Sequence, residues 1–210
     1  MKNDTRLREL IELYKTRKRA IRARLNDFTC VPESEYFYEL LYCLLTPQTS
    51  AEHAERAVAL LKQHSFAVQE MDPEPILANK AHYIRFHKTK SKHVVRAKQE
   101  MPQIVHAIAN GDSSFDKREW LVRNVKGLGY KEATHFLRNI GKNGGLAILD
   151  RHILRNLKRY GAMRSLPKTL TRKQYFSIEK RFMRFAEHVG IPLDELDLLF
   201  WSMETGVIRK

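Results

Sequence analysis

Between residues 125 and 133 the chain reads Val125-Lys126-Gly127-Leu128-Gly129-Tyr130-Lys131-Glu132-Ala133. Two glycines flanking one apolar residue permit a tight hairpin with a helix beginning directly after it. The first N–H groups of such a helix have no carbonyl partner within it, and a phosphate oxygen can accept them. A plain helix-to-helix turn accounts for Gly-Leu-Gly alone equally well. The residues downstream are more specific: Lys131, then Gly144-Gly145, an apolar run from Leu146 to Leu149, and Asp150-Arg151-His152. Taken singly, Lys131 is a solvated helix lysine and Asp150 an ordinary helix cap. Two cysteines, Cys30 and Cys43, cannot make a four-thiolate site, and their spacing matches no compact metal motif.

The elements that must position these residues are helical throughout. Leu7, Leu10, Ile11, Tyr14, Ile21 and Leu25 recur at three- and four-residue steps, which puts them on one face of a long first helix. Tyr36 to Leu45 is apolar nearly all round, as a central core helix is. Thr46-Pro47-Gln48-Thr49-Ser50 interrupts it, and Thr49 or Ser50 can cap the next helix over Ala54, Val58 and Leu61. Further helices are expected at Pro73 to Lys80, Thr89 to Ala109 with a split near Pro102, Phe115 to Val125, and Tyr130 to Ile140. Asp150 to Tyr160, Lys168 to Val189 and Leu193 to Glu204 complete the set. No segment shows sustained period-two alternation, so the expected fold class is all-α. The expected organisation is two helical lobes with a cleft between them, residues 1–32 plus 151–210 forming one and 33–150 the other, with the hairpin motif at about 115–140.

The chain has 210 residues, of which 43% are hydrophobic, enough for a real core. Its 38 Lys plus Arg against 24 Asp plus Glu leave +14, which points to a polyanion, nucleic acid above all. No run of about 18 apolar residues appears, and the first 25 residues are charged with no apolar signal region. Neither a membrane span nor a signal peptide is expected, and the expected location is the cytoplasm.

The longer arrangement resembles the helix-hairpin-helix DNA glycosylase superfamily, and within it the compact prokaryotic type-2 8-oxoguanine DNA glycosylases. Lys126 to Ala133, His135 to Gly141 and Ile148 to Leu154 carry the likeness, which extends to Arg85-Phe86-His87, Thr89-Lys90 and Trp201 to Lys210. One departure is that the loop reads Asn143-Gly144-Gly145 and holds no proline. The resemblance implies that Lys131 attacks C1′ of the damaged nucleoside, forms a Schiff base and leads to strand cleavage by β-elimination. A free lysine has a pKa of about 10.4, so at pH 7 roughly one amine in 2,500 is uncharged and able to attack. A desolvated pocket in a cationic cleft, or a helix N-terminus, would favour the uncharged form. Asp150 would steady positive charge on the sugar or relay a proton.

The same resemblance implies that Gln48 faces the lesion as the base is flipped out. Phe86 and Trp201 would stack on the base, and the terminal carboxylate of Lys210 would accept the N7–H that distinguishes 8-oxoguanine from guanine. Phosphate contacts are expected from the N–H groups of Gly127, Gly129 and Lys131, supplemented by Arg85, Lys88, Lys90 and Lys92, with His152 a further DNA contact. His135 reads as structural or merely exposed. No organic cofactor and no iron–sulfur cluster are expected, although a cation at the hairpin carbonyls is admitted. The expected partner is duplex DNA containing 8-oxoguanine, met by a monomer with no membrane involved. The rivals are a glycosylase for another damaged base and a non-catalytic helix-hairpin-helix module.

Overall fold

Burial, more than propensity, selects the helices of this chain. The computed structural model describes residues 2–208, with side chains from Thr5 onward. Among the described residues there are ten α-helices, two short 3-10 turns and no strand. No helix among them is long and apolar enough to cross a membrane. The chain divides into a central unit, Val31–Ile140, and a terminal unit formed by Met1–Cys30 and Gly141–Lys210.

The central unit is built from α2 (Tyr36–Leu45), α3 (Ala51–Gln63), α4 (Glu74–Ala78), α5 (His87–Ala109), α6 (Ser114–Asn124) and α7 (Tyr130–Asn139). Helix α2 packs against α3, α5 and α7, which is why it is apolar on every side. Even its Glu39 is buried, accepting a hydrogen bond from Asn139 Nδ2 at 2.9 Å. Ser50 caps α3 and Ser113 caps α6 by accepting N–H groups of His53 and Asp116. Helix α5 runs unbroken through Pro102, contrary to the expected split. Pro102 lies on the exposed side of the helix, where water can take the carbonyl that it leaves unbonded.

The terminal unit holds α1 (Lys2–Thr29), α8 (Arg151–Arg159), α9 (Arg172–Val189) and α10 (Leu193–Thr205). Leu10, Tyr14, Ile21 and Phe28 are buried along α1, which packs on α10. The Tyr14 hydroxyl donates to Glu195, and burial followed by that carboxylate pushes its pKa up to about 12. Phe200 of α10 stacks on Tyr160 at 5.6 Å and on Phe182 at 5.9 Å. Helix α9 starts at Arg172, later than the expected Lys168, because Thr171 and Gln174 form a capping box there.

The division between units also differs from the expected one. It falls at Ile140/Gly141, and residues 141–150 belong with the terminal unit. The cause is side-chain bonding: Asn143 Nδ2 donates to Asp194 Oδ1 at 2.7 Å, Ala147 N to Glu179 at 2.9 Å, and Tyr175 Oη to the Ala147 carbonyl at 2.6 Å. Gly141, at φ +69°, would place a Cβ 2.7 Å from the Thr29 Cα, so only glycine lets the returning chain pass α1 this closely.

Candidate active site

In the central unit, α6 and α7 are joined by Val125–Gly129, with Leu128 N donating to the Val125 carbonyl at 3.2 Å. Leu128 is buried and anchors the hairpin, while Lys126, Gly127 and Gly129 are exposed. Gly127 has φ +97°, and a Cβ there would lie 2.5 Å from His93 Nδ1 on α5. The position therefore needs glycine both for its backbone angle and for its neighbour. Burial holds the His93 imidazole below its ordinary pKa of 6.5, and Lys126, Arg96 and Lys90 push it the same way. Gly129 is the N-cap of α7 and supplies no side-chain cap, so the first N–H groups of the helix face outward.

Behind the hairpin lies a residue the sequence reading missed. Arg118 is fully buried, with its guanidinium 5.8 Å from the Tyr130 ring and Nη1 3.3 Å from Thr134 Oγ1. It fastens α6 to the first turns of α7. Nothing local distinguishes it from the solvated arginines elsewhere, since a buried charge is defined by partners distant in sequence.

Lys131 occupies the first turn of α7. Its side chain is 25% exposed, with Nζ 3.7 Å from Glu132 Oε1.

Lys90 departs from its expected role. Expected to meet a phosphate, it is buried, and its Nζ donates to the carbonyls of Leu45 at 2.6 Å and Pro47 at 2.7 Å and to Thr49 Oγ1 at 3.2 Å. Those three acceptors use all three ammonium protons, leaving none for DNA. Burial lowers its pKa to about 8; Glu132 acts against that shift and Lys131 with it. Arg85, Lys88 and Lys92 are exposed, as phosphate contacts need to be.

The turn that Lys90 holds presents Gln48 in the left-handed region, φ 56°, with its side chain exposed. Thr49 Oγ1 also accepts the Arg85 N–H at 3.2 Å. The next residue, Phe86, is left-handed as well, at φ 61°, and is 50% exposed beneath the Arg85 guanidinium at 4.9 Å. Gln48, Phe86, Lys90 and Lys131 thus share the central unit.

The terminal unit holds the other group. Asp150 caps α8, its Oδ1 accepting the N–H groups of His152 at 2.7 Å and Ile153 at 2.8 Å. Among the described residues its Oδ2 makes no hydrogen bond or ion pair. The loop before it turns at Gly144 (φ 54°) and Gly145 (φ 79°), so glycine supplies the bends in this proline-free sequence. Half-buried His152 sits edge-on to Trp201 at 6.4 Å, with Nδ1 3.7 Å from Glu204, so its ring faces protein more than solvent. Trp201 is itself half-exposed. His135 is buried in the central unit against Tyr42 at 5.6 Å. Lys210 lies outside the described residues.

An all-helical chain with a glycine hairpin feeding an uncapped helix defines a helix-hairpin-helix protein. Residues 21–191 match the family model described as 8-oxoguanine DNA glycosylase. The chain is 39% identical, over the full length of both proteins, to a Fusobacterium nucleatum protein named 8-oxoguanine DNA glycosylase/AP lyase. A Korarchaeum cryptofilum protein of the same name is 40% identical, covering 98% of this chain and 93% of that one. The crystal structure of the Methanocaldococcus jannaschii 8-oxoguanine DNA glycosylase superimposes with a TM-score of 0.86 at 34% identity, covering 98% and 96% of the two chains. A further structure of the Methanocaldococcus jannaschii enzyme, in complex with a 15mer DNA containing 8-oxoguanine, gives 0.82 at 33% identity, covering 96% and 100%. The chain belongs to the 8-oxoguanine DNA glycosylase family.

Proposed function

We propose that the protein excises 8-oxoguanine from duplex DNA and then nicks the strand at the abasic sugar. The Lys131 amine carries this reading. It stands half-buried on the first turn of α7, directly after a hairpin fit to hold a phosphate, in a chain of this family. Lys131 gives its lone pair to C1′, the bond from C1′ to the base breaks, and the base departs with the bonding pair and a proton. The sugar ring opens to an imine at Nζ. Loss of a C2′ proton then breaks the C3′–O bond and expels the 3′ phosphate, after which water releases the lysine.

Other side chains supply charge, grip and recognition. Asp150 keeps its cap through Oδ1, and Oδ2 offers negative charge for the positive charge that develops on the sugar. The N–H groups of Gly127, Gly129 and Lys131 bind a backbone phosphate, with Arg85, Lys88 and Lys92 beside them in function. A cation at the hairpin would meet its backbone carbonyls, of which Val125's already accepts one N–H; the lysine chemistry proceeds without it. Gln48 occupies the space a flipped base leaves, Phe86 and Trp201 offer flat faces to that base, and the Lys210 carboxylate accepts its N7–H. The same reading has the protein act as a monomer on cytoplasmic DNA.

Borohydride reduces an imine to a stable amine, so it tests this reading. The native protein is expected to give a covalent adduct and a nick with 8-oxoguanine duplex and neither with undamaged duplex. Lys131→Gln is expected to give neither with either duplex while keeping its DNA affinity. A protein that binds without any adduct is a binding module, and the reading fails.

A further inference from the structure

We infer that Lys90 is a positioning residue for base excision: its buried ammonium, together with Thr49, holds the turn of Gln48 and the chain just before Phe86, the two exposed left-handed residues proposed to fill the gap and to face the extruded base. The inference rests on the proposed excision of a flipped base.

Three non-glycine residues among those described have positive φ: Gln48, Ser65 and Phe86. A left-handed conformation costs a residue with a side chain, and it persists where surrounding bonds over-determine it. Two of the three lie at the ends of one bonded unit. Lys90 Nζ holds the carbonyls of Leu45 and Pro47, which bracket the turn before Gln48, and the hydroxyl of Thr49 just after it. That hydroxyl accepts the Arg85 N–H, and the Lys90 backbone N–H bonds to the Phe86 carbonyl at 2.9 Å. The ammonium therefore grips the Gln48 turn directly and reaches Arg85, the residue before Phe86, through the Thr49 hydroxyl, while the backbone bond to Phe86 is the first of α5 and stays whatever side chain stands at position 90.

The chemistry suits a lysine. Leu45 ends α2, where carbonyls without helical partners carry partial negative charge, and an ammonium buried there gains three acceptors at once. Glu132 on α7 supplies opposite charge, while Lys131 on α7 supplies like charge. A side chain that bonds only to protein cannot reach DNA, yet two of the groups it holds, the Pro47 carbonyl and the Thr49 hydroxyl, flank exposed Gln48, while the third, the Leu45 carbonyl, anchors it to the end of buried α2.

The test is a mutant cycle with two substrates, read by single-turnover kinetics on the full chain. Lys90→Met is expected to slow release of 8-oxoguanine from duplex at least tenfold, and to slow β-elimination at a preformed abasic site less than threefold, because no base remains to be extruded. Gln48→Ala is expected to slow excision as well, and the double variant is expected to lose less than the product of the two single losses. Thr49→Val, which removes the shared hydroxyl with little change of volume, should show the same substrate split in a protein that folds normally. Equal losses on both substrates, losses that multiply, or an unaffected Thr49→Val would overturn the positioning role. If the unmodified protein fails to release 8-oxoguanine, the excision reading fails instead, and that result is separate from any variant.

Discussion

The Asp150 side chain caps α8, and its proposed electrostatic role can be separated from that cap by one atom. Oδ1 caps α8 by accepting two N–H groups, and the carboxylate as a whole carries the negative charge. Asparagine caps helices about as well as aspartate and has no charge. Asp150→Asn should therefore melt within a few degrees of the native protein, bind DNA normally and lose excision by about 10²-fold or more. Asp150→Ala should lose the cap in addition, at about 1 kcal/mol in chemical denaturation. Full excision by Asp150→Asn would remove the electrostatic role. At this scale the order Lys131, Gly144-Gly145, Asp150 was legible because it is contiguous in type and spacing. Lys90 was not, since in the run from Arg85 to Lys92 nothing marks which cation turns inward. The selection is made by the carbonyls of Leu45 and Pro47, more than forty residues earlier.

Hairpin and flanking helices behave as one element. Leu128 and Arg118 seat the hairpin from within, and His93 of α5 fills the space that the missing Cβ of Gly127 leaves. This gives the hairpin a titratable support. The His93 imidazole is held below 6.5 by burial and by neighbouring cations, so the folded protein keeps it neutral where the unfolded chain would bind a proton. Stability from this group is present above pH 6.5 and is lost as the pH falls from there through the lower pKa of the folded state. Thermal melts from about pH 7.5 to about pH 5 should show a smaller drop for His93→Gln than for the native protein, and parallel profiles would exclude the effect. Helix positions were legible through their three- and four-residue periodicity and through capping residues such as Ser50 and Ser113. Pro102 misled because the sequence does not say which side of α5 faces water, and the start of α9 was set by a capping box within an already helical pattern.

For the whole molecule, the net charge of +14 acts on any duplex, because counterion release from phosphate is independent of sequence. It brings the protein to DNA and leaves selection to a few side chains. The all-α class was legible from the absence of period-two alternation. The boundary between units was not, because residues 141–150 are claimed by Glu179 and Asp194, tens of residues away, and no local pattern records such bonds. In a chain with 38 Lys plus Arg, one amine, that of Lys131, is proposed to perform the chemistry. The most direct test of this is to trap the native protein on 8-oxoguanine duplex with borohydride, digest the complex and locate the reduced sugar by mass spectrometry. The sugar is expected on Lys131 alone. A sugar on any other lysine, Lys90 included, or no adduct at all would contradict it.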